Sequence, residues 1–318
     1  MTIEPHRISR RMFGQLMTFV AVAEILNFRR AAEAVGRSQP AVTAQINQLE
    51  EFLGVKLFVR STRQVRLTPA GMELLERSKK LLAETSRLIN DIQSQEGLSI
   101  GQVVASFSPT IAVSLIPRVL SAFERDYPGI RVLLREDLGA EMFAAVQSGS
   151  VDFGIGPYSR VPNSLDFRPI FQQEFFLILH RSHEIAKRGH ACVRDLADLN
   201  LLLSTFGSTA REVLDQATLA EGLAVQPKYE ALQYQTLFAL ASAGFGATVM
   251  PKVNPDILAA LSLDAVPFRD RKLERPIGII VRREEKLAPA AEAFIHRLLT
   301  IAQEDHKLSG LTDWSKDE

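Results

Sequence analysis

Asn27-Phe28-Arg29-Arg30-Ala31-Ala32-Glu33-Ala34-Val35-Gly36-Arg37-Ser38-Gln39-Pro40-Ala41-Val42-Thr43-Ala44-Gln45-Ile46-Asn47-Gln48-Leu49-Glu50 is the stretch whose reading decides the fold of the N-terminal region. It predicts a short alanine-rich helix, a tight connection at Gly36, and a second helix capped by Ser38 with Pro40 in its first turn. Val42, Ile46, Leu49 and Leu53 recur at steps of four, three and four, which predicts one buried stripe on the second helix. Pro40, Thr43, Ala44 and Asn47 then face away, with Gln39 at the exposed N-terminal end. A helix showing small and hydrogen-bonding groups at its N-terminus suits the DNA major groove. Two short helices around a glycine also occur in ordinary helical domains, so the neighbouring residues matter. Leu57-Phe58-Val59 reads as a strand, Arg60-Ser61-Thr62-Arg63 as a turn, and Val65 and Leu67 as a returning strand. That wing carries Arg60, Arg63 and Arg66, suited to phosphate or minor-groove contact. Leu16, Phe19, Val20 and Ala23 supply a preceding helix.

The chain has 318 residues, enough for two or three compact units, and 46% hydrophobic residues, ordinary for a folded protein. Its formal charge of zero hides an asymmetry. Residues 1–70 hold ten Lys and Arg against five Asp and Glu; with 37 of each sign overall, 27 basic and 32 acidic residues remain. A basic front and acidic rear place a nucleic-acid surface at the N-terminus. No run approaches the ~18 apolar residues of a spanning helix. The first residues lack the apolar core of a signal peptide, and a cytoplasmic protein is expected. Cys192 is the single cysteine, which excludes an intramolecular disulfide and a cysteine-rich metal site.

Thr68-Pro69 predicts the start of a long helix. Leucine and isoleucine pairs at 74/75, 81/82 and 88/89 repeat every seven residues, so Leu75, Leu82, Ile89 and Ile92 form a candidate dimerisation seam. The same seam would also serve packing against the chain's own C-terminal region. A polar stretch at 93–97 reads as a hinge. From Ser99 strands and helices alternate: strands at 102–107, 130–135, 151–156, 177–180, 201–203, 248–250 and 276–281, with a helix containing Ile111, Leu115, Ile116 and Val119 after the first. The alternation predicts a mostly parallel sheet in two α/β lobes.

Ligands in open α/β sheets bind beyond the carboxyl ends of strands. Ser106, Ser108 and Thr110 follow the first strand; Thr205, Ser208 and Thr209 follow a strand of the second lobe; Gln233-Tyr234-Gln235-Thr236 opens a further helix. Facing hydroxyls and helix ends suit a carboxylate or other small anion. Each Ser or Thr also has a plainer role as a helix cap. Phe107, Phe153 and Phe206 are candidate walls. No catalytic constellation is present: no His-Glu-x-x-His spacing, nucleophile elbow, phosphate loop or dinucleotide loop. His180 and His183 alone are a weak metal signal. No catalytic role, metal or cofactor is expected.

The ordered run Ser38-Gln39-Pro40-Ala41-Val42-Thr43-Ala44-Gln45-Ile46, Leu49-Glu50-Glu51, Leu53-Gly54-Val55-Lys56-Leu57-Phe58-Val59-Arg60 and Leu67-Thr68-Pro69-Ala70-Gly71 resembles the N-terminal domain of LysR-type transcriptional regulators. Residues 149–155 and 243–251 are similar to recurring stretches of that family's effector domains. The resemblance implies an N-terminal all-α winged helix-turn-helix at 9–67 and a linker (dimerisation) helix at 68–96. A C-terminal α/β two-lobed periplasmic-binding-protein-like domain follows at 99–302, with lobe I at 99–166 and 269–302, lobe II at 167–268, and a polar tail at 303–318. In that family the positions of Gln39, Pro40, Thr43 and Arg63 touch DNA. Arg29, Arg30, Ser38, Asn47, Arg60 and Arg66 complete the candidate DNA-binding set. Ala44 stands where the family often has a long side chain, and Arg29 where it usually has Ser or Thr, leaving Asn27 as the cap. The implied partners are double-stranded DNA bearing an interrupted inverted repeat, a small-molecule effector, further copies of the chain in a homodimer or homotetramer, and RNA polymerase. Peroxide-sensing members use a cysteine pair, which this chain lacks. The rival class, a solute-binding or transport-associated protein, leaves residues 10–67 unexplained.

Overall fold

The computed structural model describes residues 12–60, 64–94, 101–205, 208–251, 253–283 and 286–307, with side chains of 86–94 and 305–307 outside the description. Two compact units divide the chain at about residue 90.

The first unit comprises α1 (Met12–Ile25), α2 (Phe28–Ala34), α3 (Gln39–Leu53), β1 (Phe58–Arg60), β2 (Val65–Leu67) and α4 (Pro69–Ser94). Local chemistry sets each boundary. The Asn27 Oδ1 accepts the Arg30 amide at 3.1 Å and starts α2. Gly36, at φ +65°, makes the turn that a side chain would strain. Ser38 Oγ accepts the Ala41 amide at 3.4 Å, with Pro40 in the first turn of α3. Phe19, Val22, Phe28, Ala31, Val42, Ile46, Leu49, Leu57 and Phe58 form the core that these helices share. Leu53 departs from the expected stripe: it is 38% exposed, because α3 ends there and Gly54 turns the chain away. β1 and β2 pair antiparallel, Phe58 opposite Leu67 and Arg60 opposite Val65. Thr68 opens α4 by accepting the Gly71 amide at 3.0 Å, while its hydroxyl donates to Lys56 O at 2.7 Å. A Cβ on Gly71 would lie 2.2 Å from Leu57 O, so only glycine lets α4 leave the wing at this angle.

The expected seam on α4 is partly consumed within this unit. Leu74 and Leu75 pack on its core, and Ser78 between them and Leu82 is buried. Leu81 is half exposed and Leu82 half buried. Ile89 and Ile92 lie outside the described side chains, and most of the hinge at 93–97 lies outside the described residues.

The second unit begins with β3 (Gly101–Phe107), α5 (Pro109–Ser114), α6 (Ile116–Asp126), β4 (Ile130–Glu136), α7 (Gly139–Ser148) and β5 (Phe153–Pro157). The single helix expected after β3 is two helices, broken at Leu115 ahead of Pro117, whose ring and missing N–H prevent a continuous helix. Next come β6 (Leu165–His180), α8 (Glu184–Arg188), β7 (Leu201–Ser204), α9 (Thr209–Ala220), β8 (Pro227–Ala231) and α10 (Tyr234–Ser242). The unit closes with β9 (Thr248–Pro251), α11 (Pro255–Ala260), β10 (Leu263–Pro267), β11 (Glu274–Arg282) and α12 (Pro289–Lys307).

Two lobes are present, each with its own core. The sheet corrects the expectation of mostly parallel pairing. β3 pairs parallel with β4 and β5, and β7 with β8, but β11–β5, β11–β6, β6–β9 and β6–β10 are antiparallel. The reason is β6, which runs along both lobes. Its first part, Leu165–Glu174, pairs with β11, and its last part, Phe175–His180, pairs with β9 and β10. β11 and α12 return the chain to the first lobe, where Ile277, Ile279, Phe294 and Leu298 join Val103, Phe107 and Phe123.

Candidate functional site

The first unit exposes one polar face of α3. Ser38, Gln39, Pro40 and Asn47 are exposed and Thr43 half-buried; Arg29, Arg30 and Arg66 are exposed as well. Arg29 Nε lies 3.4 Å from Glu33 on the same helix, an exposed pair that holds the guanidinium only weakly. Arg63 lies outside the described residues. Arg60 reaches back from the wing: its Nη2 donates to Asn47 Oδ1 at 3.0 Å, and its guanidinium sits 4.4 Å from the centre of the Phe28 ring. Wing and α3 are thereby tied on the face that carries the candidate DNA contacts.

Contacts that position α3 are less visible in sequence. Thr18 of α1 donates to Gln45 Oε1 at 2.6 Å, and Gln15 Nε2 to Gln48 Oε1 at 3.2 Å. Glu50, 3% exposed, holds the wing: its Oε1 accepts the amides of Leu57 at 2.9 Å and Phe58 at 3.2 Å, and its Oε2 meets Lys56 Nζ at 2.8 Å. Burial pushes this carboxyl up, but the Lys56 hydrogen bond and the two amides outweigh it, and the net shift is downward.

The second unit contains a cleft of about 500 Å³ between its lobes. Ser108 and Thr110 enter it from the β3–α5 side, and Thr205, Ser208 and Thr209 from the end of β7 and the start of α9. Gln233 and Tyr234 at the start of α10, and the apolar Pro109, Phe143 and Met250, add to its walls. Five of the six expected hydroxyls are therefore together. Ser106 is the correction: it is fully buried within β3 and donates to Asp137 Oδ2 at 2.8 Å, which holds its hydroxyl away from the cleft. Phe107 and Phe153 are corrections of the same kind, stacked edge-to-face in the lobe core at 6.4 Å. Phe206 lies outside the described residues, and Phe143 provides an aromatic wall.

The hydroxyls differ in what they already do. Ser208 caps α9 by accepting the Arg211 amide at 3.2 Å. Ser108 is 5% exposed, yet its Oγ has no hydrogen-bond partner among the described residues. Thr110 and Thr209 accept from Arg275, at 3.4 Å from Nη2 and 2.5 Å from Nη1. Arg275 carries no motif or spacing that marks it in sequence. It is 7% exposed, its Nε and Nη2 donate to Gln173 Oε1 at 3.1 and 2.8 Å, and its guanidinium lies 5.1 Å from the Phe175 ring centre. Burial pushes its pKa down to about 9. Tyr234 is shifted upward, first by burial and then by the Glu136 carboxylate.

His180 and His183 do not converge on a metal. Their Nδ1 atoms accept the local amides of Ser182 at 3.3 Å and Ile185 at 3.2 Å. Among the described residues no group of three or more His, Cys, Asp or Glu could hold a metal ion, and no helix is long and apolar enough to cross a membrane. Cys192 is half-buried, and its amide donates to Asp195 Oδ2 at 2.7 Å.

Residues 96–303 match the family described as LysR substrate binding domain, and residues 13–72 the bacterial regulatory helix-turn-helix proteins of the lysR family. The chain is similar to YfeR of Shigella flexneri, an uncharacterised helix-turn-helix transcriptional regulator, at 31% identity over 88% of this chain and 90% of that protein. Among solved structures it is similar to CbnR, a LysR family transcriptional regulator, at 25% identity, a TM-score of 0.70, and coverage of 91% of this chain and 99% of that one. The fold also matches the effector binding domain of QuiR in complex with shikimate, at 19% identity, a TM-score of 0.60, and coverage of 65% and 99%. A basic winged helix-turn-helix joined to a two-lobed ligand-binding unit, matched over both parts, places this chain in the LysR family of DNA-binding transcriptional regulators.

Proposed function

We propose that the interlobe cleft takes a small carboxylate and that its occupancy sets how the regulator engages its promoter. The observation that carries this reading is the convergence of Ser108, Thr110, Thr205 and Thr209 from opposite lobes on one cavity. The Ser108 hydroxyl is buried without a partner among the described residues, a cost that a ligand oxygen would relieve. The N-terminus of α9, a helix of 12 residues, adds partial positive charge. Shikimate, the ligand of the QuiR domain, is a carboxylate of suitable size. A bound ligand would hold the lobes at one angle and so shift the population of assemblies that contact the promoter productively.

At the other end, Gln39, Pro40, Thr43 and Asn47 read bases while Arg29, Arg30, Ser38, Arg60, Arg63 and Arg66 position the backbone. Two such units in a homodimer, or four in a homotetramer, span an interrupted inverted repeat, with α4 supplying the contact through Leu82, Ile89 and Ile92. The regulator works in the cytoplasm, by binding rather than catalysis, and passes its state to RNA polymerase. Thr110→Val and Thr205→Val keep shape and delete a hydroxyl. Each should weaken the response of a promoter reporter to the inducing carboxylate while gel shifts show unchanged basal DNA affinity. Wild-type inducer sensitivity in both variants would reduce these hydroxyls to helix caps.

A further inference from the structure

Arg275 has a charge that the rest of the cleft leaves unanswered. Its partners Thr110, Thr209 and Gln173 are neutral oxygens, and among the described residues no carboxylate comes within salt-bridge distance of its guanidinium. The five N–H groups of a guanidinium make four contacts here, one of them long at 3.4 Å, leaving an Nη1 hydrogen unpartnered among the described residues. A buried charge held only by neutral acceptors is unfavourable and is relieved by an anion. Arg275 also spans the two lobes through Thr110 on one side and Thr209 on the other, so an anion reaching it touches both.

The mouth of the cleft has the opposite character. Glu141 and Glu212 line it from the two lobes and are exposed, with Arg160, among the described residues, as the exposed cation beside them. A ligand with one negative end gains the Arg275 fork and keeps its other end away from like charge. A second carboxylate, held at the far end of a small ligand, would meet two glutamates against one arginine. A neutral amide offers an NH₂ donor to a donor fork and leaves hydrogen bonds unmade.

We propose that Arg275 is the charge-reading residue of the cleft, and that the cleft selects small monocarboxylates over their neutral amides and over dicarboxylates. The proposal rests on the reading of the cleft as a carboxylate site and adds the specificity. Arg275 determines which ligand class enters; Glu141 and Glu212 exclude the dianion.

Calorimetry and thermal shift on the full-length protein, with benzoate, shikimate, benzamide and isophthalate as probes, separate the possibilities. Wild type should bind benzoate at least tenfold more tightly than benzamide or isophthalate, with shikimate as a second monocarboxylate that binds; binding of shikimate without benzoate would overturn the assignment of monocarboxylates as a class. Arg275→Gln should weaken the monocarboxylate on the order of 100-fold, the loss that follows removal of one partner of a buried charge pair. It should also erase the acid-over-amide preference. Arg275→Lys, which keeps the charge but not the fork, should retain part of that preference, which guards against a variant that merely misfolds. Glu141→Gln combined with Glu212→Gln should raise isophthalate affinity relative to benzoate. If Arg275→Gln keeps the acid-over-amide preference, or isophthalate binds wild type as tightly as benzoate, the specificity assignment is overturned while the carboxylate cleft stands. If neither monocarboxylate binds wild type at millimolar concentration, the cleft reading falls together with it.

Discussion

Replacing Glu50 probes how the DNA-binding unit is held together. In Glu50→Ala the amides of Leu57 and Phe58, now paired with Oε1 at 2.9 and 3.2 Å, lose their acceptor in a buried setting. Each stranded amide costs about 1–3 kcal/mol, and the small cavity adds to it, so a total loss of about 3–5 kcal/mol is expected. Against a domain stability of roughly 5–15 kcal/mol, that unfolds much of the population in mild denaturant. Glu50→Gln keeps a neutral oxygen for the amides and gives up mainly charge. Lys56 is 75% exposed, so its ion pair contributes little, and the expected loss is about 1–2 kcal/mol. The pH dependence follows from the downward shift of the carboxyl. Its contribution is fully present above the pKa of an unfolded glutamate, about 4.3, and is lost as pH falls through the lower folded value. Urea melts between pH 7 and pH 3, with hydrogen exchange at the Leu57 and Phe58 amides, measure both effects. Glu50→Gln should flatten the acid limb. Equal losses for Ala and Gln, or unchanged protection of those two amides in Glu50→Ala, would refute the account of how the wing is fastened.

Thr43→Ala or Gln39→Ala should cost roughly 1–3 kcal/mol on specific DNA and little on random DNA, by gel shifts over a salt series; equal losses on both would reassign the residue to phosphate positioning. Gly71→Ala should lower the melting temperature sharply, because its methyl group has no room beside Leu57 O; a melting curve like wild type would contradict that packing. Leu82→Asp should give monomers in sedimentation and lose operator affinity, since an unpaired charge in an apolar seam is strongly unfavourable; an unchanged profile would remove α4 from the assembly contact.

What was legible in the sequence was local. Asn27, Gly36, Ser38, Pro40 and Thr68 act on their own turn of chain, and each boundary they predicted is present. Pro117 is equally local, but the apolar spacing of Ile111, Leu115, Ile116 and Val119 runs across it and reads as one helix where the chain forms α5 and α6. Only Leu177–His180 of β6 reads as a strand in sequence, because its earlier part, with Asp166, Arg168, Gln172, Gln173 and Glu174, carries too many polar residues. The cleft was half legible. Hydroxyls after strand ends announce themselves, but whether a neighbour distant in sequence has already claimed one does not, and Ser106 is claimed by Asp137. Arg275 has no signal: its partners Thr110 and Thr209 lie 165 and 66 residues away, and the lack of a counter-ion for it among the described residues is visible only in three dimensions.

The most direct test of the whole account is footprinting of the full-length protein on the DNA flanking its own gene, titrated with benzoate or shikimate, in wild type and Thr110→Val. The account predicts an interrupted, two-fold-related footprint whose extent changes with carboxylate in wild type, and the same basal footprint with a blunted change in Thr110→Val. A wild-type footprint indifferent to both carboxylates, or one that responds identically when Thr110 is replaced, would contradict it.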